Sequence, residues 1–406
     1  MTEHLQLKKS YSFLKMSSLI LTKELSLMKE RNDYLNQRVN ELELELKGTT
    51  SKEEMREMIK EELAPITNIL IGKEKEMTET QTQTEKIVII NKNNKATYGS
   101  GRVQEVLQSE DLHTNIWSLI ETEDKRIASG GEEGNISISS YDINKKTWNR
   151  DIHKEKAHND IIYSLCTLKG NRLLSSSADN SLKIWSISDI DLIQIKEIKE
   201  HANLVWKVIP LSKERFASCS GDWTVKIWKD DETYKCLSTL KHYGCVRSIL
   251  QLRGKETLVT CGYYSSTGVS FWDLNTYTRQ EVIKGCGIDY SSHMIELSDG
   301  NIALSSADKC FPIVIIDSEL YQIKIEFLWK EYIAKYSALY LLNNHSFIYT
   351  CEGTFLQISS DDYSILYQST GGKFSGYYGG IISIDKGKYL AVESGKKITI
   401  IKFSEF

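Results

Sequence analysis

The strongest constraint on this chain of 406 residues is a short pattern that returns at a nearly constant period. Its clearest copy is Asn171–Ser188, NRLLSSSADNSLKIWSIS. It holds a turn, an apolar strand ending in small hydroxyl residues, an Asp-containing turn, and a strand carrying Leu182, Ile184 and Trp185. With Trp185 as reference, the equivalent positions are Ser139, Trp185, Trp228, Trp272, Ile316, Ser359 and Ile401, separated by 46, 43, 44, 44, 43 and 42 residues. A histidine opens each of the first four units: His113, His158, His201 and His242. Glu133, Asp179 and Asp222 precede the alternating strands of the first three, while the last three units keep only spacing and alternation. Strand-sized units at a period of 40–45 residues cannot bury a hydrophobic face singly and stack side by side. The expected fold is therefore all-β, a seven-bladed propeller over residues 102–406.

The units resemble WD repeats (WD40), most specifically in the second and third. The resemblance implies a buried hydrogen-bonded network of His, Ser or Thr, Asp and Trp within a blade. The matching residues are His158, Ser175 or Ser177, Asp179 and Trp185, then His201, Ser218 or Ser220, Asp222 and Trp228, with Trp272 in the fourth unit. A buried carboxylate is tolerated only when fully hydrogen-bonded, so these Asp residues are expected to be structural. The resemblance also implies ring closure by an N-terminal strand, for which Val103–Leu107 is the candidate beside the last run, Ile398–Phe403. It further implies peptide binding around the central channel, at the start of the strand after each His. Carried over, those positions are Trp117, Tyr163, Trp206 and Arg247, with Lys335 a looser match and Glu132 on the same rim. Aromatic residues and Arg suit such a hot spot, although large aromatics also fill the packing between blades. Propellers that serve as ubiquitin-ligase substrate receptors often carry Arg two residues after the Trp-Asp pair. Ser188, Asp231 and Asn275 stand there instead.

The N-terminal region follows a different period. Leu14, Leu21, Met28, Leu35 and Leu42 are seven apart, and Leu25, Asn32, Val39 and Leu46 continue a second series four residues later. This heptad predicts a coiled coil over 1–48, and Asn32 at an a position favours a parallel dimer in register. Glu24 with Lys29, and Arg38 with Glu43, fit the charge pairs of that arrangement. The alternative is a single amphipathic helix packed on another surface. A second amphipathic helix is expected over 49–71, interrupted at Pro65. Residues 72–101 form the expected flexible linker, in which Ile87–Ile90 stands out as an apolar run suited to an extra strand on the propeller edge.

Composition narrows the function. The net charge of −4 lacks the basic footprint that nucleic acid or an anionic membrane requires. No apolar run is long enough for a transmembrane helix. The eight cysteines (166, 219, 236, 245, 261, 286, 310 and 351) form no CxxC pair and mostly lie in strand-like runs, as buried thiols do. No HExxH, GxSxG or GxGxxG motif is present, and Ser394–Lys397 lacks the spacing of a phosphate loop. The expectation is a cytoplasmic (or nuclear) scaffold without cofactor, metal or catalytic residues. Its propeller would bind peptide segments of other proteins and its coiled coil would make a homodimer. The competing expectations are an adaptor for a ubiquitin-ligase or autophagy complex, and a transcriptional corepressor.

Overall fold

The computed structural model describes residues 86–90, 103–262, 268–283, 293–305, 313–329, 338–343, 345–351, 354–369, 380–385 and 388–403. The expected coiled coil and second helix lie outside these residues. Seven sheets follow one another along the chain, antiparallel apart from one added edge strand. Blade 1 runs from Ile116 to Lys154, blade 2 from Ile162 to Ile198, blade 3 from Val205 to Lys241 and blade 4 from Val246 to Ile283. Blade 5 spans His293–Trp329, blade 6 Ala338–Ser369 and blade 7 Ile381–Phe403. Within each of blades 1–6 four strands pair in chain order, from an innermost first strand to an outermost fourth.

Blade 7 takes its outermost strand from the other end of the domain. Val103–Gln108 pairs antiparallel with Lys397–Phe403, placing Val103 opposite Phe403 and Gln108 opposite Thr399. The Ser109 amide donates to the Ile398 carbonyl at 2.9 Å, and the Ile398 amide donates to Ser109 Oγ at 2.9 Å. The expected closing strand is therefore in place. Closure removes the open edges of the ring, which would otherwise template pairing with other chains.

The strands alternate, so each sheet presents an apolar face to both neighbours. Among the described residues the hydrophobic core divides into seven clusters, and each joins adjacent blades. Ile136, Ile138 and Ala128 of blade 1 pack with Ile162, Leu165 and Trp185 of blade 2. Val208, Phe216 and Trp228 of blade 3 pack with Leu174, Leu182 and Ile184 of blade 2. Leu107, Ile116 and Ile127 meet Ala391, Ile398 and Ile400 across the closing seam. Full burial of one such side chain contributes about 1.5–3 kcal/mol, so the stability resides in the seven seams.

The structure departs from the sequence expectations at two places. In the third strands, Trp185, Trp228, Trp272, Ile316 and Ile401 pair with Leu173, Phe216, Leu258, Ile302 and Leu390. In blade 6 it is Ile358, not Ser359, that takes this place, opposite Phe347 and at the outer-strand bulge. Six blades fill this position with Trp or Ile, and blade 1 has Ser139. Ile358 is fully buried there, while Ser359 merely matched the period. Second, Lys86–Ile90, inside the segment expected as a linker, is a strand. It pairs in parallel with Gln322–Trp329, from Lys86 opposite Ile325 to Ile90 opposite Trp329, and makes blade 5 a five-stranded sheet. The apolar run thus takes the edge position its composition suited.

Candidate functional site

Blades 2 and 3 carry the polar network in full. Trp185 Nε1 donates to Ser175 Oγ at 2.9 Å, Ser175 Oγ lies 2.7 Å from His158 Nε2, and His158 Nδ1 lies 3.0 Å from Asp179. Trp228 donates to Ser218 Oγ at 2.8 Å, which lies 2.7 Å from His201 Nε2, and His201 Nδ1 lies 2.8 Å from Asp222. The serine in each case is Ser175 or Ser218. Ser177 and Ser220 instead receive the amides of Asp179 and Asp222, each at 3.0 Å, and so shape the acidic turn. Burial lowers the His158 pKa against the opposing pull of Asp179, so the imidazole is neutral. A neutral ring satisfies the whole chain, accepting from serine at Nε2 and donating to the carboxylate at Nδ1. Burial pushes the Asp179 and Asp222 carboxyls up. The hydrogen bonds from His158 and His201, with those from Ser181 and Thr224, outweigh it and hold both below the usual carboxylate range.

The other blades keep fragments. In blade 1 His113 Nε2 lies 2.9 Å from Ser129 Oγ, Glu133 replaces the Asp, and Ser139 replaces the Trp. In blade 4 Trp272 Nε1 donates to Thr260 at 3.0 Å, and the His242 ring sits 5.1 Å from the indole. In blades 5–7 the serine position is occupied by Leu304, Tyr349 and Val392, all buried.

The network fixes the loops that lead into the innermost strands, and there a second feature repeats. Pairing with the second strand skips one residue in each of blades 1–4: Trp117, Tyr163, Trp206 and Arg247. Each is the extra residue of a β-bulge, a device that frees a side chain from the pleat and re-aims it. The four half-buried side chains meet around the inner rim. The Trp117 and Tyr163 rings are edge-to-face with centroids 5.1 Å apart, and Tyr163 and Trp206 are tilted at 4.4 Å. The Arg247 guanidinium lies 4.1 Å from the Trp206 ring, within cation–π range. Trp206 Nε1 donates to Cys245 Sγ at 3.1 Å. Four residues more than 40 apart in sequence thus form one continuous shelf across four blades, apolar along most of its length and cationic at one end.

Glu132 sits on the same face, where Asn115 Nδ2, two residues before Trp117, donates to its carboxylate at 2.6 Å. Lys335 lies outside the described residues, as do the oligomerisation candidates Leu14, Leu21, Leu25, Met28, Asn32, Leu35, Val39, Leu42 and Leu46.

Sequence reading missed three features of this region. Trp223, at φ 68° in the blade 3 acidic turn, is 54 % exposed, and Tyr243 in the next loop is 77 % exposed. The Trp223 carbonyl accepts the His242 amide at 2.9 Å, which ties this turn to the loop bearing Tyr243, whose ring lies 5.7 Å from the Arg279 guanidinium. Lys207 follows the Trp206 bulge. On the opposite face, arginines at the start of second strands latch onto the next blade. Arg126 donates to the Ser188 carbonyl at 2.9 Å, and Arg172 forks onto Asp230 at 2.8 and 3.2 Å. Arg215 donates to the Leu274 carbonyl at 2.6 Å. A spacing of 62 residues links Arg126 with Ser188, Arg172 with Tyr234, Arg215 with Tyr277 and Asn301 with Tyr363. That recurrence was open to inspection in the sequence.

Among the described residues no group of three or more His, Cys, Asp or Glu side chains is placed to hold a metal ion. Nor is any helix there long and apolar enough to cross a membrane.

The WD domain, G-beta repeat family matches residues 149–186 and 193–229, the stretches that build most of blades 2 and 3. Among solved structures, the WD40 β-propeller domain of Doa1 is similar, with a TM-score of 0.61 and 15 % identity, covering 76 % of this chain and 99 % of that one. A comparison with curated protein sequences finds no match. WD40 propellers generally mediate protein–protein interaction and are typically non-catalytic. The chain carries WD40 repeats, folded as a seven-bladed β-propeller.

Proposed function

We propose that this chain is a non-enzymatic scaffold whose propeller binds extended peptide segments of partner proteins on the shelf of Trp117, Tyr163, Trp206 and Arg247. The observation that carries this reading is the bulge series. Four blades each spend an extra residue to bring a large side chain to one rim, and those side chains join into a continuous surface. Trp117 and Tyr163 belong to none of the seam clusters between blades, while Trp206 both joins the shelf and packs against the seam of blades 3 and 4. Aromatic and Arg side chains bury large areas at low entropic cost and dominate binding energy elsewhere.

The heptads over 1–48 complete the proposal as a parallel homodimer registered by Asn32. Two propellers on one stalk bind a divalent partner with avidity gains of roughly 10²–10⁴ over one site. A cytoplasmic location suits a chain of free thiols.

The test is affinity purification from native cells of three chains: wild type, a truncation lacking residues 1–72, and Trp117→Ala/Trp206→Ala. Loss of partners in the double variant, with its fold verified by circular dichroism, is the expected result. Partners retained by the double variant but lost by the truncation would move recognition to the N-terminal region. Sedimentation at micromolar concentration tests the dimer, which a monomeric full-length chain would exclude.

A further inference from the structure

The residue after each rim bulge has a second, separate task. In blade 1 Ser118 Oγ accepts the Leu165 amide of blade 2 at 2.9 Å. In blade 2 Ser164 Oγ accepts the Val208 amide of blade 3 at 3.4 Å. At the same register in blade 5, His293 Nδ1 accepts the Leu339 amide of blade 6 at 3.3 Å. Blade 4 has Ser248 there, an acceptor of the same kind whose buried hydroxyl makes no hydrogen bond among the described residues. In blades 1, 2 and 5 the position is thus an acceptor that stitches one innermost strand to the next around the channel. Blade 3 places Lys207 there, which pairs with Cys219 in the second strand and replaces an acceptor-bearing side chain with a cation. An ammonium group has three donors and no lone pair, so it cannot make the stitch.

Among the described residues no carboxylate pairs with Lys207 and no hydrogen bond reaches its ammonium group. Val208 faces the blade 2 seam, so by alternation Lys207 points toward blade 4 and the channel wall. Cys219, Cys245, Arg247 and His293 are the titratable groups on that side. Burial pushes both thiols up, and it lowers His293 to about 3, leaving all three neutral at pH 7. Burial likewise brings Lys207 down to about 8. Blade 3 therefore holds a half-buried cation, one residue from Trp206, at a place where the neighbouring blades hold an acceptor.

We propose that Lys207 receives a carboxylate side chain of an acidic peptide at the mouth of the central channel, while the flanking residues of that peptide lie along the Trp117–Tyr163–Trp206 shelf. This rests on the rim reading above and names the partner chemistry: an extended segment with Asp or Glu at its centre. An anion completes what the site lacks, and a compact ammonium suits a single carboxylate oxygen better than a planar fork does.

The test uses the full-length chain and intrinsic tryptophan fluorescence, titrated with blocked tetraglutamate, blocked tetraglutamine and inorganic phosphate. Wild type, Lys207→Met and Trp117→Ala/Trp206→Ala are compared. Expected is a saturable response to tetraglutamate at least about tenfold tighter than to tetraglutamine, lost about tenfold in Lys207→Met. Wild-type binding should weaken as pH rises from 7 to 10, as the lysine loses its charge. Lys207→Met should melt no lower than wild type at pH 7, which separates a binding lysine from a structural one. Equal tetraglutamate binding by wild type and Lys207→Met overturns the inference. So does a response to phosphate alone, or no saturable response in the wild type. The double variant keeps the readings apart. If it alone loses binding, the rim stands and the lysine role fails; if only Lys207→Met loses binding, the anion site stands and the rim fails.

Discussion

Ser218 serves two partners at once, taking the indole proton of Trp228 and facing the Nε2 of His201. Truncating it leaves both buried groups unsatisfied, and each orphan costs about 1–3 kcal/mol. Ser218→Ala should therefore destabilise the propeller by about 2–4 kcal/mol in urea denaturation. His113 gives a pH signature. Burial, with the positive charges of His153 and Arg150, lowers its pKa to about 4. The unfolded chain then binds the extra proton first, so stability is full above about pH 6.5 and declines as pH falls toward 4. The slope from this group is about 1.4 kcal/mol per pH unit in that window. His113→Gln should flatten it, as read by chemical denaturation at pH 7, 6, 5 and 4.5. A slope unchanged by the substitution would show that His113 is protonated in the fold.

Elements differ in how plainly their residues announce them. Blades 2 and 3 were legible because a buried network of four polar side chains tolerates few substitutions, so the same letters recur at the same places. Blades 5–7 replace the serine with Leu304, Tyr349 and Val392, and any apolar residue of suitable size serves. Only the period remained to read, which is why blade 6 was placed one residue late. The rim was legible as a set of positions, but the bulges that join its side chains were not, since a skipped pairing leaves no mark in composition. Lys207 was invisible for a related reason: one lysine in an apolar strand reads as an ordinary solvent-facing residue. The strand Lys86–Ile90 pairs in parallel with the outermost strand of blade 5. A proline removes a ladder donor, so Val88→Pro should release it. Amide hydrogen exchange of 322–329 is then expected to rise by at least about tenfold, with blades 1–4 unchanged.

At the scale of the whole molecule, the ring holds its two ends by unlike means. Blades 1–3 reach their neighbours with the latches of Arg126, Arg172 and Arg215 as well as apolar seams. The closing seam depends on one borrowed strand, Val103–Gln108, and the cluster it completes around Leu107 and Ile398. A chain starting at residue 86 should keep a single cooperative melting transition. One starting at residue 110 should lose it and associate, because blade 7 then exposes an unpaired edge. Equal cooperativity in both would show that the ring does not need its closure. The order of attachment along the chain has a mechanical consequence. Any tension transmitted from the N-terminal side meets Lys86–Ile90 before it meets Val103–Gln108. The short parallel strand on blade 5 is then a fuse, peeling first and absorbing extension while the closing strand stays paired and the ring stays shut.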